Sequence, residues 1–363
     1  MADSKFFPQY KKVAEIVRKR IIQGSYSIKL FPSERRLAEE LGVNYMTVRR
    51  GLQILEKENI LTRLPNGRMR VKRIQQGVKN HLNFGFLTPT FTSGAVESWR
   101  LAIDKVSSTL PCSVRPILYM HWDDPILMDA LDGFDGVFLI SIPEKIPDPV
   151  AKKLREQEHP VVVIDQDLTA MGAPSIQLFP PVFVQKLLDH FDAGGHRRIG
   201  WFNTQAHTPD VGDRINQWRY WMNAHGFTGR LVDEPASSYG DPVECAYESM
   251  KRLLKNGKPP ETAWLFITMP AALGAMRALL DRGIKPGIDV AMGAVDGERL
   301  ASMLNPPLTA LEPPDPTPFI SVCLDWMMKG GRQWQGPLLM RPSDVPLVIR
   351  ESSQTGAGRG LTA

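Results

Sequence analysis

Seven short apolar runs recur along the chain, at residues 82–88, 114–119, 135–140, 160–165, 199–202, 263–267 and 290–294. Each is followed by a stretch long enough for a helix, such as the amphipathic segments 98–110 and 148–157. A strand that is apolar on both faces must be covered on both. Parallel neighbours also need a long crossover, usually a helix, to return the chain to the same edge. Alternation of this kind predicts an α/β architecture with parallel sheets. The length of the patterned region predicts two of them.

The first 79 residues do not share this pattern. They hold 18 Lys and Arg against 7 Asp and Glu, a net of +11, whereas the remainder holds 26 against 32. A basic head on a mildly acidic body suggests a polyanion-binding module joined to one with another task. Val13, Ile16, Val17 and Ile21 have helical spacing. Ser33 can cap a second helix, with Leu37, Ala38 and Leu41 inward and Gly42 at its end. Asn44 can cap a third running to about Glu58, with Val48, Leu52 and Leu55 inward. At 100° per residue, Met46, Arg49, Arg50 and Gln53 lie opposite that seam, with Thr47 at its edge. Residues 60–64 and 69–73 flank Pro65-Asn66-Gly67-Arg68, a hairpin turn with Arg on both strands. Helix-turn-helix plus basic hairpin is a winged helix-turn-helix.

Residues 13–72, and above all 31–60, resemble the DNA-binding domain of the GntR family of bacterial transcription regulators. The resemblance implies that Arg35, Thr47, Arg49, Gly67 and Arg68 approach DNA, with Tyr45 and Arg50 on the same surface. Tyr45 and Met46 stand where many members have Arg and Thr, and Met69 replaces a second wing glycine. An arginine suits such a surface because its fork binds guanine or phosphate through two parallel hydrogen bonds.

Residues 82–352 are similar to the effector-binding domain of the LacI/GalR family. The landmarks are Asp135-Gly-Val, Gly195-His-Arg-Arg-Ile-Gly200, Arg214-Ile-Asn-Gln-Trp218, Ala272 to Leu280, Pro307 to Leu311 and Leu347 to Ser353. The resemblance implies a periplasmic-binding-protein-type body of two Rossmann-like lobes joined by three crossovers, with ligand in the cleft. Carried over residue by residue, it makes Arg214, Asp296 and Phe91 ligand candidates. Trp218 is a further candidate, with the core of its helix as the other reading. Met269 stands where relatives have a ligand-holding aspartate, which leads to the expectation that neutral hexoses bind poorly. Pro313, Pro314, Pro316 and Pro318 fall near the expected final crossover and would stiffen it.

The resulting expectation is a winged head at 1–73, a linker at 74–81, an effector and dimerisation body at 82–352, and a flexible tail at 353–363. No run of about 18 apolar residues is present to span a membrane. Cys112, Cys245 and Cys323 form neither a disulfide framework nor a CxxC site, and the start of the chain lacks a signal-peptide pattern, so a cytoplasmic location is expected. His190, His207 and His225 lack zinc-ligand spacing, Asp123-Asp124 has no further ligands, and no phosphate-binding loop occurs. No cofactor, metal or catalytic group is expected. The reading is a homodimeric, non-enzymatic regulator, a repressor by analogy, that binds operator DNA and a small, possibly carbohydrate-related effector. The alternatives are a body serving only as a dimerisation platform, and a pyridoxal-phosphate aminotransferase-like body, for which no Schiff-base lysine context is found.

Overall fold

A computed structural model describes residues 8–26, 31–64, 67–71, 81–90, 93–156, 158–237, 240–297, 300–312 and 314–354. The head is three helices and a two-stranded wing: α1 (Gln9–Ile22), α2 (Glu34–Leu41), α3 (Tyr45–Lys57), β1 (Leu61–Arg63) and β2 (Met69–Val71). The boundaries follow from local chemistry. Ser33 Oγ accepts from the Arg36 amide at 3.3 Å and Asn44 Oδ1 from the Met46 amide at 2.8 Å, each capping donors a helix start leaves open. Gly42 ends α2 in the left-handed region, at φ 62°, where a side chain is disfavoured. Val13 and Val17 of α1, Leu37 of α2, Val48, Leu52 and Leu55 of α3, and Ile60, Leu61 and Met69 at the wing form one core. β1 and β2 pair antiparallel, with Thr62 opposite Arg70.

The body has two lobes, each a six-stranded sheet covered on both faces. In lobe 1 the sheet runs β13 (Leu339–Met340), β7 (Ser175–Ile176), β6 (Val161–Ile164), β5 (Gly136–Ile140), β3 (Leu82–Pro89), β4 (Cys112–Tyr119), and every pairing is parallel. Its helices are α4 (Gly94–Ser107), α5 (Pro125–Gly133) and α6 (Asp148–Glu156), joined later by α11 (Thr317–Met328). In lobe 2 the order is β14 (Leu347–Val348), β12 (Thr309–Leu311), β11 (Ala291–Ala294), β10 (Ala263–Phe266), β8 (Ile199–Asn203), β9 (Leu231–Asp233). Only β14 is antiparallel to its neighbour. The helices here are α7 (Val184–Ala193), α8 (Pro209–Ala224), α9 (Pro242–Leu253) and α10 (Met269–Asp281).

Each lobe has a core on both faces of its sheet, as the doubly apolar strands require. Trp201 and Trp264 of lobe 2 and Phe84 and Phe138 of lobe 1 are fully buried. The strands the sequence left unmarked, β7, β9, β12, β13 and β14, have only two or three residues.

The chain crosses between lobes three times: after β7, after β12 and after β13. The first and third crossings leave lobe 1 from adjacent strands and are tied together. The Gln177 amide donates to the Met340 carbonyl at 3.0 Å, and Arg341 Nε donates to Gln177 Oε1 at 2.6 Å. At the lobe 2 end, Lys186 Nζ of α7 donates to the Val345 carbonyl of the third strap at 2.9 Å. Pro314 and Pro316 lie on the second crossing and Pro318 begins α11, so the proline cluster is not at the final crossing as expected. The cause is α11 itself, which takes the chain back into lobe 1 before the last return; Pro313 is outside the described residues. Ser353, expected to open a tail, is buried and hydrogen-bonded to His190 at 2.7 Å and Thr309 at 2.6 Å. Residues 74–80 and 355–363, the rest of the expected linker and tail, lie outside the described residues, except His81 and Gln354.

Helices α9 and α10 pack closely because Gly274 presents no side chain: a Cβ there would sit 2.1 Å from the Val243 carbonyl oxygen. Gly274→Ala should therefore lower stability by about 1–3 kcal/mol, read as a lower urea midpoint for the body. An unchanged midpoint would show that the two helices can separate freely.

Candidate nucleic-acid interface and ligand cleft

On the head, α3 carries its apolar seam inward and leaves Tyr45, Met46, Arg49, Arg50 and Gln53 exposed, with Thr47 half-buried. Arg35 on α2 and Gly67, Arg68 and Arg70 on the wing are also exposed. The predicted contact residues thus share the surface on which a helix-turn-helix and its wing meet a duplex, with guanidinium groups at both ends. Sequence reasoning missed the residue that organises this surface. Glu34 opens α2 with a side chain only 13% exposed, and it accepts from Arg63 Nη2 of β1 at 2.9 Å. The Tyr45 hydroxyl lies close to the same carboxyl. Burial acts to raise the Glu34 carboxyl, but the nearby Tyr45 hydroxyl and Arg63 outweigh it and lower it below the usual carboxylate range. The Glu34 carboxylate, together with burial, raises the Tyr45 phenol.

The cleft between the lobes has a volume of about 700 Å³ and collects the C-terminal ends of the parallel strands. From lobe 1 come Trp99 of α4, Ser141 after β5, and Asp165 and Gln166 after β6. From lobe 2 come Thr204 after β8, Arg214 of α8, Thr268 after β10 and Asp296 after β11. The helices α8, α9 and α10 start here, capped by the side chains of Thr208, Asp241 and Thr268. Their positive dipole ends face the cavity.

Asp165 is the notable group. It turns β6 into the following loop in the left-handed region, at φ 59°, and Trp99 Nε1 donates to its Oδ2 at 2.7 Å. Its carboxyl stands in the wall of the cleft between the lobes. That enclosure raises its pKa to about 7. Asp296 and Asp210 add to the rise, while the Trp99 bond and Arg214 oppose it. Arg214 Nη2 donates to the Phe179 carbonyl on the first crossing at 3.2 Å, and its guanidinium lies 6.0 Å from the Phe179 ring centre. Arg214 Nε, Gln177 Nε2 and Thr204 Oγ1 are buried at this cleft without a hydrogen-bond partner among the described residues. Donors therefore stand on lobe 2 and the first strap, and carboxylates on both lobes. A small molecule rich in hydroxyls, each of which donates and accepts, matches that set. Among the described residues no three His, Cys, Asp or Glu side chains are placed to hold a metal.

Of the sequence candidates for the cleft, Arg214 and Asp296 line it. Trp218 does not: it is 5% exposed, packs against Trp201 and donates to the Ile199 carbonyl at 3.2 Å. Met269 does not either. It is 3% exposed in the core with Phe266 and Met292, while its neighbours Thr268 and Pro270 reach the cleft. The expectation that hexoses would face an apolar Met269 loses its basis, because that side chain points away and Asp165, Asp210 and Asp296 supply acceptors. Phe91 lies outside the described residues. Asp165 was legible in principle as an acidic residue closing an apolar parallel strand, the position from which such sheets present ligand groups.

Residues 9–71 match the family model for bacterial regulatory proteins of the gntR family, and residues 188–353 match that of the periplasmic binding protein-like domain. The HTH-type transcriptional regulator GalR of Streptococcus thermophilus is 26% identical over 165 residues, which are 44% of this chain. The chain spans about half, 49%, of that relative's length. Among solved structures, the Lac repressor dimer bound to operator and the anti-inducer ONPF superposes with a TM-score of 0.61 at 21% identity, covering 76% of this chain and 95% of that one. The regulator CcpA of Weissella paramesenteroides with bound sucrose gives 0.62 at 16% identity, covering 75% and 98%. A LacI family regulator from Enterococcus faecium with bound ribose gives 0.62 at 17%, also covering 75% and 98%. At these identities the structures establish the fold of the body.

An acid whose pKa rises on folding stabilises the folded chain while protonated, and that contribution is lost as the pH climbs from about 4 through about 7. Asp165→Asn should remove the loss, so the difference in urea midpoint should grow in the variant's favour between about pH 5 and pH 8. A difference that does not change with pH would contradict the assignment.

Proposed function

We propose that this chain, a GntR-type helix-turn-helix domain joined to a periplasmic-binding-protein-like domain, is a transcription regulator whose hold on operator DNA is set by a sugar-class effector in the cleft. The observation that carries the reading is the pairing of two surfaces in one chain. One is an arginine-bearing helix face beside a wing; the other is an enclosed cleft with unpartnered donors facing carboxylates. In the head, Arg49 and Arg35 would contact bases or phosphates in the major groove and Arg68 would follow the backbone from the wing. In the body, Arg214 and Asp296 from lobe 2 and Asp165 from lobe 1 would grip hydroxyls and draw the lobes together. On this reading the work of the cleft would be recognition, and a DNA partner would call for a cytoplasmic protein. Among the described residues no helix is long and apolar enough to cross a membrane.

The regulator would act as a homodimer. Lobe 1 exposes Leu118 (60%) and Met120, and lobe 2 exposes Leu300 and Met303 (77%), apolar groups that a second copy would cover. Two heads are needed because one winged helix reads too few base pairs for specificity. Arg115 Nη1 and Ser113 Oγ, on the outer strand of lobe 1, donate to the Gly24 and Ile22 carbonyls of the head at 2.7 and 3.3 Å, offering a route from lobe movement to the helices. Repression is the simpler sign of action.

The test begins with DNA sequences selected from a random pool by the full-length protein. Arg49→Ala should lower affinity for the selected site by about 1–3 kcal/mol and relax one base-pair position. A panel of pentoses, hexoses and disaccharides should include one that raises the melting temperature and alters DNA affinity, with the effect weakened in Arg214→Ala. Failure to enrich any sequence, or an Arg35→Ala/Arg49→Ala double variant that binds as wild type, would overturn the DNA-binding reading.

A further inference from the structure

The wing is a small element to place with accuracy. Its strands pair over three positions only, and just Leu61 and Met69 of its side chains are buried. A two-stranded ribbon of this size is marginal alone, so its angle to α3 must be imposed by contacts to the helices. Those contacts converge on one ion pair. Glu34 at the start of α2 takes a hydrogen bond from Arg63, the last residue of β1, at 2.9 Å. Arg63 in turn donates through Nη1 to the Gly67 carbonyl at the wing tip, at 3.2 Å, and its Nε lies 3.9 Å from Glu56 in the last turn of α3.

We infer that Glu34 is a positioning residue that, through Arg63, fixes the wing against the recognition helix. The inference rests on the DNA-binding reading above. It explains why an acid is tolerated on a surface meant for a polyanion: its charge is matched by Arg63. The lock is in force at neutral pH, since Glu34 is held ionised. It also means that the guanidinium of Arg63 is engaged within the protein.

Electrostatics and positioning predict opposite results for one substitution. Removing a negative charge from a DNA-facing surface should strengthen binding to a polyanion. If Glu34 positions the wing, Glu34→Gln should instead weaken binding of the full-length protein to its selected site, on the order of threefold to tenfold. The loss should fall at the base pairs that Arg68→Ala also affects. Arg63→Lys, which keeps the charge but not the fork, should behave like Glu34→Gln. Adding Glu34→Gln to Arg68→Ala should cost less than the two single effects combined. Melting temperature and affinity for random DNA, measured alongside, report whether the head remains folded. Tighter or unchanged binding by folded Glu34→Gln, or wild-type binding by folded Arg63→Lys, would overturn the inference. If Arg49→Ala itself changes nothing, it is the DNA-binding reading that fails.

Discussion

The groups that make the cleft come from one constraint: parallel strands all end on the same side of their sheet. Each strand end then leaves a short loop and the start of a helix at that edge, so polar side chains and open backbone amides accumulate there. In lobe 1 the edge supplies Ser141 and Asp165, and in lobe 2 Thr204, Thr268 and Asp296. Because the chain crosses three times, the two edges face each other across the straps. The chemistry of the cavity is thus a property of the topology first, and of the particular residues second.

The head obeys a different economy. Its core is a single small cluster, so two capped helices and a glycine turn fix the crossing of α2 and α3, and apolar packing has little left with which to orient the wing. A polar lock fills that role at the surface, built from the Glu34 carboxylate and the Arg63 guanidinium.

How much could be read from the chain depended on length scale. Helices with a cap at each end were legible, as Ser33, Gly42 and Asn44 show, and so were strands of four or more apolar residues. Strands of two residues, such as β7 and β14, have no period to detect. Arg214 and Trp218 share one face of α8, yet only the first reaches the ligand side. The helix runs away from the cleft, and one turn takes the second residue about 5 Å deeper, onto β8. Met269 failed in a related way: at the first turn of a helix, adjacent residues point to different compartments, and alignment alone does not say which is which. Asp165 was legible as an acid closing a strand, but its raised pKa was not, because that depends on Trp99, Asp296 and Arg214, which are remote in sequence.

The pairing of the first and third straps has a mechanical meaning. Two segments that leave adjacent strands, joined by Gln177 and Arg341 at one end and by Lys186 at the other, are cross-linked like a single plate. A plate of this kind would resist sliding of one lobe past the other and leave rotation about its own long edge as the soft coordinate. A ligand bound across the cleft would then be spared the entropy of selecting among many lobe arrangements, and its interaction energy would be converted into one angle. Any surface attached to both lobes would read that angle as a change in spacing.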